Sequence, residues 1–110
     1  MTDKELLVAA ARAAGVKLHW HAGKPYMRPD MEPMDSWNPL TDDGDALRLA
    51  VKLEMLVDFM QLRVVAGQFA PEVFVDFEDG EYRRAIVRAA AEIGSLHNAT
   101  LTGPQGPNER

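Results

Sequence analysis

The stretch from Trp37 to Leu53, WNPLTDDGDALRLAVKL, constrains the fold more than any other part of the chain. Pro39 keeps Asn38 out of the helical region, Thr41 is the expected cap, and Asp42 and Asp43 set negative charge at the positive end of a helix dipole. Behind them Ala46, Leu49, Ala50, Leu53, Leu56, Val57 and Met60 recur at helical spacing, with Leu47 and Val51 widening the stripe on one flank. This pattern predicts a helix from Asp42 to Phe59, about 27 Å long at the usual rise per residue, crossing the middle of the fold.

The flanks read as helix and hairpin on each side. Thr2 followed by Glu5 is a capping box, and Leu6, Ala10, Ala13 and Ala14 share one face of a helix that Gly15 ends. Val16, Leu18 and Trp20 alternate with Lys17, His19 and His21, and a turn at Ala22 to Pro25 returns the chain through Tyr26, Met27 and Arg28. Beyond the long helix, Leu62, Val64 and Ala66 face Val73, Val75 and Phe77 in a second hairpin. A last helix follows, with Tyr82, Ala85, Ile86, Ala89, Ala90 and Ile93 as its stripe and Gly94 as a possible stop.

The order helix, hairpin, helix, hairpin, helix predicts a single α+β domain over residues 1–97, a sandwich of helices about a four-stranded, largely antiparallel sheet. The face carrying His19, His21, Arg63 and Glu72 with Val65 and Phe74 is mixed, so a two-layer arrangement with one open sheet face stands as the alternative. Residues 98–110 hold one large apolar side chain and two glycine-proline breaks, and are expected to form a disordered tail.

Two blocks, Trp37 to Leu53 and the RRAIVRAAAEIG segment from Arg83 to Gly94, resemble the phage ABA sandwich domain family of small bacteriophage and prophage proteins. The resemblance implies a sheet between helical layers and a protein acting in an infected bacterium. It brings no catalytic residues with it.

Composition narrows the chemistry. There is no cysteine, so neither disulfides nor thiolate metal sites are available, which suits a reducing cytoplasm. No apolar run approaches the roughly 20 residues that span a bilayer, and the first residues lack a basic segment leading into an apolar one, so neither secretion nor membrane insertion is expected. A net charge of −5 disfavours nucleic acid as a partner. Carboxylates stand at the start of all three helices, Asp3 and Glu5, Asp42 and Asp43, Asp79 and Glu81, where they would repel a bound phosphate.

No catalytic set and no cofactor site emerges from the residues. His19 and His21 point the same way from a strand and would supply two zinc ligands, but no third ligand lies near them in sequence. Asp42, Asp43 and Asp45 miss the spacing of a calcium loop and read as helix-start acids. Asp76 with Glu78 and the arginines at 83, 84 and 88 read as solvated charged faces.

The segment Tyr26 to Trp37 is the candidate partner-binding surface. Tyr26, Met27, Met31, Met34 and Trp37 on a proline-stiffened loop offer adaptable methionines and an aromatic anchor. The competing arrangement folds this loop over the core edge with Trp37 buried against the central helix. The expected function is a non-enzymatic phage accessory protein binding a host or phage protein in the host cytoplasm. A metal-dependent factor using His19 and His21, and a self-assembling virion component, are the alternatives.

Overall fold

A computed structural model describes residues 1–27, 35–66 and 72–101, with side chains through residue 95. Over these residues the chain is α+β, with three helices and two three-stranded antiparallel sheets. Helix α1 (Asp3–Ala14) precedes β1 (Leu18–His21), β2 (Lys24–Met27) and β3 (Asp35–Ser36). Helix α2 (Asp43–Lys52) leads to β4 (Leu56–Asp58), β5 (Arg63–Ala66) and β6 (Val73–Asp76), and α3 (Tyr82–Leu101) closes the order. The single four-stranded sheet expected from two hairpins is replaced by two sheets, each a hairpin extended by a short third strand, β3 in one and β4 in the other.

Helix α1 forms as its sequence dictates. Thr2 and Glu5 exchange backbone-to-side-chain bonds at 2.8 and 3.1 Å, and Gly15 ends the helix in the left-handed region at φ +74°. The first hairpin then turns on Ala22 and Gly23, both at positive φ, the mirror-image turn that matches strand twist.

Helix α2 is shorter than the apolar stripe suggested, ten residues or about 15 Å. Its cap is Asp42 rather than Thr41, with the carboxylate accepting the Asp45 N–H at 2.8 Å. Its end is a Schellman closure. The Glu54 N–H donates to the Val51 carbonyl and the Met55 N–H to the Ala50 carbonyl, with Glu54 held at φ +53°. Glutamate in the position that usually takes glycine hides the stop. Leu56 and Val57, expected as the helix's last turns, are therefore the start of β4.

The central element is α3, not α2. It packs against α1, α2, β5 and β6. Gly94, a candidate stop, lies buried inside this helix, because a Cβ there would overlap the Ala9 carbonyl oxygen of α1. Ala90 and Ala91 lie one turn back on the Gly94 face of α3, and Ala9 and Ala10 lie on α1, all at most 4% exposed. The helix continues to Leu101, past Asn98 where the tail was expected to begin, and residues 102–110 lie outside the described residues.

The sheet β4–β5–β6 lays one face on this helix. Val57, Val64 and Val75 form a cross-strand row on the inner side, with Ala66 and Val73 beside it. Val64 is fully buried. Burying such side chains contributes about 1.5–3 kcal/mol each.

Candidate interaction surface

The outer face of the same sheet is built by the other half of each strand. Because side chains alternate, Leu56, Val65 and Phe74 come into register as a second cross-strand row, and Asp58, Arg63 and Asp76 as a third. Leu56 is 59% and Phe74 55% exposed. An apolar row and a charged row thus run side by side across an open sheet face.

The charged row is ordered. Arg63 Nε donates to Asp76 Oδ1 at 2.6 Å, and its guanidinium lies 5.8 Å from the centre of the Phe74 ring. The hydrogen bond from Arg63 holds the Asp76 carboxyl below the ordinary aspartate range and pushes the arginine up. Asp58 shapes the turn into β5 by accepting the N–H groups of Met60 and Gln61 at 2.9 and 3.0 Å. That turn leaves Met60 almost wholly exposed, where the helical reading had placed it in the buried stripe. Phe59, also exposed, meets the rings of Phe77 and Tyr82 edge to face at 6.2 and 5.6 Å.

Leu47 and Val51 likewise face outward from α2, while Ala46, Leu49, Ala50 and Leu53 face inward. The expected wide stripe is a narrow one. Among the described residues, several large apolar side chains are outside while alanines line the interior.

Of the residues singled out in Tyr26 to Trp37, Met31 and Met34 lie outside the described residues. Tyr26 and Met27 are half-buried on β2, and Trp37 is buried at 4% exposure. The Trp37 N–H donates to the Pro25 carbonyl at 3.2 Å, and the indole joins Ala14, Val16, Met27 and Leu49 around a small cleft. The indole is thus part of the core edge and is not presented to solvent as a partner anchor. Beside it, the carboxylate of Asp45 is buried, accepting the Asn38 N–H at 2.9 Å and an Arg48 N–H at 2.7 Å.

His19 and His21 are both exposed, opposite Tyr26 and Lys24 in the register, and the His21 ring meets Tyr26 edge to face at 6.3 Å. Among the described residues no three histidine, aspartate or glutamate side chains gather as a metal-holding group. Asp43 serves the fold. It accepts from the Tyr82 hydroxyl at 2.7 Å and from Arg83, which also reaches the Leu40 carbonyl, so the start of α2 is tied to the start of α3. The Tyr82 hydrogen bond, then that of Arg83, holds the Asp43 carboxyl below its ordinary range.

Comparison with known protein families, curated proteins and solved structures finds no match to this chain.

Proposed function

We propose that this chain is a non-enzymatic protein-interaction module, a phage or prophage accessory protein of the ABA sandwich kind that binds a host or phage protein in the bacterial cytoplasm. The observation that carries the reading is the apolar row Leu56, Val65 and Phe74, half-buried at Val65 and exposed at both ends. Contiguous apolar surface on a soluble fold marks a place where another surface sits. The family resemblance implies a sheet covered on both faces, and in this reading the second cover comes from the partner. The contact surface moves from the Tyr26 to Trp37 segment to the outer face of β4–β6, because the indole that would anchor the former is committed to the core.

The test is capture from bacterial lysate on the immobilised chain, with Leu56→Thr and Phe74→Thr combined as the variant. Threonine keeps strand propensity while removing most of the apolar area. The reading expects at least a tenfold loss of the captured protein with an unchanged circular dichroism spectrum. Equal capture by a folded variant contradicts it.

A further inference from the structure

The outer edge of β6 borders a groove of about 950 Å³ whose far wall is α3. Its hydrogen-bonding groups follow from one bond. The Phe77 N–H donates to the Leu62 carbonyl at 2.8 Å, so in the antiparallel alternation Val75 and Val73 also turn their backbone groups toward β5. Phe74 and Asp76 therefore turn their N–H and C=O groups away from the sheet, and among the described residues nothing bonds them. A bare edge of this kind is a template for another strand.

The groove also says what that strand carries. A strand added beside β6 alternates its side chains between the two faces of the sheet. On the outer face they neighbour Glu72, Phe74 and Asp76, which favour basic and apolar groups. On the inner face they lie over α3, where Arg84 and Arg88 line the groove one turn apart, with Glu92 a further turn along. Arg84 contacts Asp3 at 3.0 Å, and among the described residues Arg88 has no ion pair. A second copy of this chain fits poorly, because antiparallel pairing of β6 with itself about Phe74 sets Glu72 of each copy against Asp76 of the other, and like charges across a strand pair destabilise it.

We propose that β6 binds an extended peptide segment by strand addition, one in which basic or β-branched residues alternate with acidic ones, the acidic side chains facing Arg84 and Arg88. This rests on the interaction-module reading and names the partner's chemistry. The added strand lies next to Phe74 and extends the apolar row by one more strand.

The experiment uses the full chain and a capped heptapeptide, Lys-Glu-Val-Glu-Lys-Glu-Val, followed by NMR. Saturating peptide is expected to slow amide hydrogen exchange at Phe74 and Asp76 by at least tenfold, and Arg88→Glu to weaken binding at least tenfold. Two N-methylated peptides decide the geometry. In a strand added antiparallel, as β4 and β6 are to β5, the residues on the Phe74 face point their N–H groups at β6. Methylating the lysine and valine backbone nitrogens therefore abolishes binding while methylating the glutamate nitrogens leaves it intact, and the reverse pattern overturns antiparallel addition. If both methylated peptides bind alike and the shifts centre on Leu56 and Val65, strand addition is overturned while the interaction-module reading stands. If no peptide binds at millimolar concentration, strand addition by this chemistry is overturned, and the lysate capture judges the broader reading separately.

Discussion

The seam between α1 and α3 and the outer face of β4–β6 use apolar residues in opposite ways. At the seam Gly94 meets the Ala9 carbonyl with no room for a methyl group, and buried alanines of both helices flank the contact. The outer face carries a leucine and a phenylalanine that stay more than half exposed. Stability here comes from close backbone approach between small residues, where packing density rather than side-chain size sets the gain. Large side chains are thereby left for a surface that folding does not need. The contrast separates positions that hold the fold from positions available for contact.

The largest expected effect lies where a large residue does hold the fold. Trp37→Ala empties space among Ala14, Val16, Met27 and Leu49 and is expected to cost about 4 kcal/mol in urea denaturation. A loss below about 1 kcal/mol would put the indole on the surface and return the Tyr26 to Trp37 segment to candidacy. Next, Gly94→Ala should cost about 3 kcal/mol, the reverse of the roughly 1 kcal/mol gain that alanine brings in an ordinary helix interior. A stabilised variant would mean that the two helices are further apart. Asp45→Ala is expected to cost about 2 kcal/mol by stranding the Asn38 N–H, and an unchanged midpoint would show that water replaces the bond.

The smallest effect is a pH dependence at the tie between α2 and α3. The folded Asp43 carboxyl sits below its ordinary value, so its contribution is complete above the unfolded aspartate range and is lost as pH falls through the lower folded value. The Tyr82 hydroxyl is pushed up, first by its bond to Asp43, so its part is complete below the ordinary tyrosine range and fades as pH rises through the raised value. Asp43 is exposed and Tyr82 only half-buried, so the change is small. Asp43→Asn should flatten the acid side of the Tm against pH curve, and an acid limb of unchanged slope would assign that dependence to other carboxylates.

The legible parts of this fold were those with local signals of one meaning. Thr2, Glu5 and Gly15 bracket α1 without ambiguity, and the alternation of Val64 and Ala66 with Val73 and Val75 gives the second hairpin and its buried face. The end of α2 was not legible, because Glu54 adopts a left-handed conformation that glycine usually signals, and Leu56 and Val57 fit a helical stripe as well as a strand. Gly94 was ambiguous in the other direction. A glycine near a helix end looks like a stop, and only the partner helix reveals it as a contact. The outer sheet face was half visible: Arg63, Val65 and Phe74 were placed together by alternation, but Leu56 joined them only once α2 ended early. Trp37 could be assigned to neither core nor surface, since its burial depends on contacts from α1, β2 and α2 that are distant in sequence.

The inner and outer rows of β4–β6 offer the most direct test, since both belong to the same strands. Urea denaturation should compare Val64→Ala with Val75→Ala on the inner row against Leu56→Thr with Phe74→Thr on the outer row. Removal of two methyl groups from each buried valine is expected to cost about 3 kcal/mol for the inner pair. The outer pair should change stability by less than about 1 kcal/mol, as surface substitutions do. An outer pair that costs as much as the inner one would place that face in the core and contradict its assignment as an interaction surface.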